Sequence, residues 1–79
     1  MHGVYSVVLS RPVTYEELAR LGLTLYGCWP MCTPDALDSC THYLAVLSVP
    51  GRIDSEGMFS LLCAYGPFSF QWLTYYMEG

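Results

Sequence analysis

Lysine is absent from this 79-residue chain, and only three arginines oppose its seven acidic residues. The formal net charge is −4, and just 13% of the residues are charged. Neutralising the phosphates of a nucleic acid requires clustered lysine and arginine, so direct nucleic-acid binding is not expected. An acidic chain is instead suited to a basic protein surface, where its carboxylates can take the place of phosphates.

Long apolar runs and a basic amino-terminal segment are also missing. The longest nearly unbroken apolar run, residues 43–49, is far shorter than the roughly 18 to 20 residues that span a bilayer. The opening segment "MHGVYSVVLSRP" has no basic residues ahead of its apolar stretch, which a secretory signal requires. We therefore expect no membrane association and a cytoplasmic location, where thiols stay reduced.

What the chain does contain is mostly apolar. Hydrophobic residues make up 53% of the chain and aromatic residues 15%. The charged fraction of 13% is well below the roughly 25% that is typical of globular domains. A chain of this composition is not expected to be disordered, and we predict one compact domain over residues 1–79.

Local patterns predict four strands and two helices. Apolar, β-branched segments predict strands at residues 4–10, 23–29, 41–49 and 67–77. The capping box "TYEE" starts a helix at Thr14 that ends before Gly22, and a second helix is predicted within residues 54–66. The order β-α-β-β-α-β predicts an α+β, ferredoxin-like fold: a four-stranded antiparallel sheet in the order 4-1-3-2 with two helices on one face. An alternative keeps these elements but enlarges the turn at 33–40 into a third helix and reorders the strands.

Side-chain alternation predicts which strand residues face the core. In the last strand, one face collects four aromatic residues that we assign to the core: Phe68, Phe70, Trp72 and Tyr76. Two helices can cover only one face of the sheet. The other face would then carry apolar side chains, namely Val4, Val8, Leu44, Val46, Leu73 and Tyr75. A homodimer packed through its sheets, or a large partner interface, would cover them.

The stretch "CWPMCTPDALDSCTH" holds three cysteines and a histidine, the donor types of a zinc site: Cys28, Cys32, Cys40 and His42. Structural zinc usually uses cysteines paired on tight knuckles, and only the first pair here has such spacing. A disulfide or simple packing of free thiols are the alternatives, and packing is favoured. Cys40 and His42 share a strand face without an evident orienting carboxylate, so no catalytic residue, metal ligand or cofactor is predicted.

Carboxylates and exposed aromatics supply the remaining signal. Two acids open the first helix and two lie in the long connection between the second and third strands. Acids at helix starts favour the helix dipole and solubility, which is the simpler interpretation. The more specific interpretation is that the acids form a rim around aromatic anchors and that this rim binds a basic protein surface. Its contact residues would be Glu16, Glu17, Tyr26, Trp29, Asp35 and Asp38.

The chain is very small, acidic and free of lysine, and it has an aromatic ending, "FSFQWLTYYMEG". Its acids form three clusters: Glu16-Glu17, Asp35/Asp38 and Asp54/Glu56. In these features it resembles phage-encoded anti-CRISPR proteins, in particular type I-C inhibitors of similar length. The likeness covers the whole chain in size and character and includes no diagnostic motif. It implies a viral protein that acts in the cytoplasm of a host bacterial cell. There it would bind a CRISPR surveillance complex and block the basic channel for target DNA.

Two other functions are retained as alternatives. One is a dimeric ferredoxin-like enzyme or small-ligand-binding domain, with a pocket between sheet and helices that uses Tyr26, His42 or Tyr43 as polar groups. The other is a zinc-stabilised module, which would contain one metal ion per chain and unfold when a chelator is added.

Overall fold

A computed structural model describes residues 1–77 of the chain. Glu78, one of the seven acids, and Gly79 lie outside the described residues. The elements follow one another as β1 (His2–Leu9), α1 (Tyr15–Arg20), β2 (Thr24–Pro30), a 3₁₀ helix (Pro34–Ser39) that we call the connecting helix, β3 (Tyr43–Pro50), α2 (Ser55–Leu61), a short 3₁₀ helix (Cys63–Tyr65) and β4 (Pro67–Tyr76). The predicted β-α-β-β-α-β order is confirmed, with the turn at 33–40 as the connecting helix.

The four strands form one antiparallel sheet in the order β2-β3-β1-β4. Read from the other edge, this is the predicted order 4-1-3-2. β1 and β2 both pair antiparallel to β3, so they run parallel to each other and their connections leave the sheet at the same end. The α+β class and the four-stranded antiparallel sheet are therefore confirmed.

Both ends of α1 have the hydrogen bonds that its sequence predicts. The Glu17 amide donates to the Thr14 hydroxyl at 3.2 Å, and the Thr14 amide donates to the Glu17 carboxylate at 3.0 Å, which completes the capping box. At the other end, the amide of Leu23 bonds back to the carbonyl of Leu18 and the amide of Gly22 to that of Ala19. Gly22 has φ +78°, as a left-handed helix stop requires.

The second helix is shorter than the sequence predicts. Asp54 caps α2 by accepting the Gly57 amide at 2.8 Å, but the helix ends at Leu61 and the chain tightens into the short 3₁₀ helix before Gly66. Met58 and Leu62 are fully buried, whereas Leu61, which we placed on the same apolar stripe, is 38% exposed.

One hydrophobic core lies between the helices and one face of the sheet. β1 alternates strictly, so Tyr5, Val7 and Leu9 are buried together with Ala45 and Leu47 of β3. The remaining buried apolar side chains come mainly from the two helices and their flanks: Val13, Leu18, Leu23, Val49, Met58 and Leu62. Both helices thus cover the same face, and we call the other one the open face.

The face assignment in β4 was wrong in part. Its pairing with β1 shifts register twice, skipping Phe68 and Leu73. Of the four aromatics assigned to the core, only Phe70 packs against it, while Phe68, Trp72 and Tyr76 are 48%, 50% and 38% exposed. Tyr75, expected on the open face, pairs instead with Gly3, on the row that faces the helices. Each bulge reverses the alternation on which the prediction depended.

Candidate functional site

The structure divides the six predicted contact residues between the two faces of the sheet. Trp29 belongs to an open-face row of β2, because the preceding Cys28 packs against the core. Tyr26 is the bulged residue between Leu25 and Gly27 and lies on the same face as Trp29. Both aromatics are half exposed, at 52% and 51%. Glu16 and Glu17 lie on α1, on the opposite face. The six residues therefore do not form one continuous patch.

All four predicted carboxylates nevertheless lie at one end of the sheet. α1 begins just after β1, and the connecting helix follows β2, whose parallel course brings it to that same end. We call this region the acidic end: Glu16, Glu17, Asp35 and Asp38. Among the described residues, Arg11 is the only cation there, which leaves three net negative charges. At the opposite end, among residues 1–77, Arg20 and Arg52 balance Asp54 and Glu56, so the charged side chains that the structure describes are polarised along the strands.

Exposed apolar side chains lie beside these carboxylates. Trp29 is the penultimate residue of β2, Met31 follows that strand, and Leu37 lies within the connecting helix between the two aspartates. Their exposed fractions are 51%, 54% and 50%. Sequence analysis selected Trp29 but missed Met31 and Leu37, although large apolar residues between Pro30 and Asp38 were a usable signal. Exposed tryptophan and methionine side chains are enriched at protein-binding surfaces, whose rims are polar.

Glu17 differs from the other acids because the fold already uses its carboxylate. In addition to the capping box, it accepts a 2.7 Å hydrogen bond from the Tyr65 hydroxyl, which joins α1 to the short 3₁₀ helix. That hydrogen bond, followed by those from Thr14, lowers the pKa of Glu17, and the same contact raises the pKa of Tyr65. Glu17 therefore stabilises the fold, and the carboxylates left for a partner are those of Glu16, Asp35 and Asp38.

The Glu17–Tyr65 contact makes stability depend on pH in a defined direction. Since the pKa of Glu17 is lower in the folded than in the unfolded protein, its contribution is present above the unfolded value and is lost as the pH falls through the folded value. We expect Tyr65→Phe to lower the urea midpoint at neutral pH and to reduce this acid-dependent loss. Tyr15→Phe, at an exposed position on α1, is the matched control and should change neither. Equal acid sensitivity in Tyr65→Phe and the wild type would contradict the assignment.

The open face is covered in part by its own aromatic side chains. The hydroxyls of Tyr26 and Tyr76 are hydrogen bonded at 3.1 Å, although these residues belong to the two edge strands. Adjacent strands lie about 4.8 Å apart, so the two side chains reach toward each other across β3 and β1. Ser48, in an open-face row of β3, is only 1% exposed, and the tyrosine pair is positioned to cover it.

Further ring contacts follow the edges of this face. His2 stacks on Tyr76 with ring centroids 5.0 Å apart, and His42 meets the edge of Phe68 at 4.8 Å. The ring of Trp29 folds back over Gly27, where an added Cβ would clash with it. The Tyr26 hydroxyl is already hydrogen bonded to Tyr76 within the fold. We therefore favour Trp29 over Tyr26 as an anchor for a partner.

Three thiols gather around Tyr43 at the acidic end, on the side that faces the helices. Burial and the nearby Cys40 and Cys32 raise the pKa of Tyr43. The contact with Cys40 raises the pKa of Cys32. Burial alone would raise the pKa of Cys40, but hydrogen bonds from Cys32 and from the backbone of His42 and Met31 outweigh it and lower that pKa.

This cluster does not have the geometry of the alternatives considered from sequence. Within residues 1–77, no group of three or more His, Cys, Asp or Glu side chains is placed to hold a metal ion. The Cys40 Sγ lies 3.2 Å from the backbone carbonyl of His42, whereas the His42 ring is 3.0 Å from the Thr41 hydroxyl. Cys40 and His42 thus do not meet as nucleophile and base. All four cysteines are free thiols.

The part of the chain that the structure describes encloses no pocket. None of its helices is long and apolar enough to cross a membrane. No protein-family model, curated protein or solved structure matches this chain. The chemistry of the described surface is therefore what a functional proposal has to use.

Proposed function

We propose that this protein is a non-enzymatic, protein-binding inhibitor that uses its acidic end to occupy a basic nucleic-acid channel on its partner. The observation that carries this proposal is the charge polarisation of residues 1–77, with three net negative charges at one end of the sheet and balanced charges at the other. Such a field steers a protein toward a basic surface and sets its orientation on arrival.

The contact surface proposed for this role combines charge with apolar anchors. Glu16, Asp35 and Asp38 would meet arginine and lysine side chains of the partner, and Trp29, Met31 and Leu37 would supply the buried apolar contacts. Tryptophan is frequent among the residues that dominate binding energy, while charges at the rim contribute mainly to specificity and association rate. Glu17 and Tyr26 would contribute indirectly, because their hydrogen bonds to Tyr65 and Tyr76 stabilise the fold that carries this surface.

The resemblance to type I-C anti-CRISPR proteins supplies a candidate partner, a type I surveillance complex in a bacterial host. This complex must expose basic residues along the channel that receives target DNA, because phosphates have to be neutralised there. The described residues offer no pocket in favour of the alternative, a small-ligand-binding domain or enzyme.

The test is an electrophoretic mobility-shift assay with a purified, guide-loaded type I-C complex and its double-stranded target. Preincubation with this protein is expected to abolish target binding once the protein reaches equimolar amounts, and added salt should weaken the inhibition. Unimpaired target binding with the protein in excess, and no co-elution in size-exclusion chromatography, would contradict the proposed partner. Full inhibition at a small fraction of the complex's concentration would contradict the non-enzymatic mechanism.

A further inference from the structure

The strongest chemical feature that the proposed function leaves unused is the pair of thiols at the base of the connecting helix. The last rung between β2 and β3 is the hydrogen bond from the Met31 amide to the His42 carbonyl, at 2.8 Å. The Cys40 Sγ lies 3.2 Å from that same carbonyl oxygen. Cys32 directly follows Met31, so both cysteines lie where the chain leaves the ladder and returns to it.

We propose that Cys32 and Cys40 form an oxidisable dithiol that closes into a disulfide across the base of the connecting helix when it meets hydrogen peroxide. Cys40 Sγ lies beside the rung that Met31 makes with His42, and Cys32 is the next residue after Met31; each thiol shifts the pKa of the other, and both are partly accessible to solvent. The Met31–His42 hydrogen bond holds together the two chain segments that carry these cysteines, so a disulfide there would not require the sheet to rearrange. This inference concerns the thiols alone and does not depend on the proposed inhibitory function.

The surroundings of the two thiols differ in a way that assigns their roles. Cys40, whose pKa is lowered, forms the thiolate more readily and is the thiol that attacks peroxide first. Cys32, whose pKa is raised, remains a thiol and is positioned to resolve the product. A reactive cysteine with a neighbouring resolving cysteine is the usual arrangement of a reversible thiol site.

The reaction balances with hydrogen peroxide as the oxidant. The Cys40 thiolate attacks one peroxide oxygen, the O–O bond breaks, and Cys40 becomes a sulfenic acid as hydroxide leaves. The Cys32 sulfur then attacks the Cys40 sulfur, an S–S bond forms and the S–O bond breaks. The departing hydroxide takes up the Cys32 proton as water. Overall the two thiols lose two electrons, and peroxide is reduced to two molecules of water.

The methionines make the test specific in the wild-type protein. After treatment with equimolar peroxide and alkylation of the remaining thiols, cyanogen bromide cleavage separates Cys28 (residues 2–31) from Cys32 and Cys40 (residues 32–58) and from Cys63 (residues 59–77). We expect the 32–58 fragment to be unalkylated and lighter than its reduced form by two hydrogens. Two alkylated thiols in that fragment, or a covalent link from it to either other fragment, would overturn the proposal.

Two single variants separate the roles. Cys32→Ser should block the intramolecular disulfide and leave a Cys40 sulfenic acid that a cyclic dione reagent traps. Cys63→Ser removes an exposed thiol outside the pair and should oxidise like the wild type. An intramolecular disulfide that still forms in Cys32→Ser would show that Cys40 reacts with Cys28 instead and would contradict the assigned pair.

Discussion

Reversing three charges at the acidic end, in the variant Glu16→Lys, Asp35→Lys and Asp38→Lys, is expected to weaken binding to a basic partner by about 100-fold. The loss should be largest at low ionic strength, because most of it comes from attraction between exposed charges that salt screens. Affinity for the purified type I-C complex, measured by biolayer interferometry over a salt series, tests this. Glu17 is left unchanged because its carboxylate caps α1 and accepts the Tyr65 hydroxyl.

The matched control reverses one carboxylate at the opposite end of the sheet. Glu56 is exposed in the first turn of α2, and its carboxylate makes no cap hydrogen bond, whereas Asp54 caps that helix. Glu56→Lys should leave the affinity within a few-fold of the wild type. Circular dichroism and urea midpoints of both variants report whether the fold is retained. A folded triple variant that binds as tightly as Glu56→Lys would refute the acidic end as the contact surface.

Truncating Leu47 to alanine is expected to lower the free energy of unfolding by about 2 to 5 kcal/mol. Leu47 is fully buried in β3, with pairing partners on both neighbouring strands, so its side chain lies in the middle of the core. A chain of this length is typically stable by only about 0.05 to 0.15 kcal/mol per residue, so the change removes a large share of the total. Urea denaturation followed by tryptophan fluorescence measures it.

The adjacent residue of β3 provides the control on the open face. Val46 is only partly buried, and we expect Val46→Ala to cost about 1 kcal/mol or less. A loss larger than that of Leu47→Ala would contradict the assignment of the core to the helix side of the sheet. The same experiment at several protein concentrations tests the expected homodimer, whose stability would depend on concentration.

Much of the fold was predictable because its signals are local. The helix ends were predictable from a capping box, an Asp cap and glycines that can adopt positive φ. The strand order was predictable because right-handed connections allow few orders for four strands. The two bulges in β4 were not predictable, because neither Phe68 nor Leu73 is a glycine or another residue type that marks a bulge in a sequence. Bulges depend on pairing across the sheet, which a single strand does not encode.

The candidate site was predictable in composition and less so in arrangement. Sequence spacing identified the acids, and the parallel course of β1 and β2 explains why they share one end. That Glu17 is committed to Tyr65, 48 positions away, could not be read from spacing. For the same reason the hydroxyl bridge between Tyr26 and Tyr76 was missed. Such contacts arise from tertiary packing of residues that have no relation along the chain.

The central position of β1 has a consequence for how the protein comes to be made. Of the four strands in this sheet, β1 is synthesised first, yet its partners are β3 and β4, the two synthesised last. β4 pairs with β1 alone, so the sheet stays incomplete until its fourth strand has been synthesised. Closing such long loops slows folding. A chain truncated before β4 would leave one side of β1 without backbone partners, and we expect it to be a substrate for chaperones and proteases.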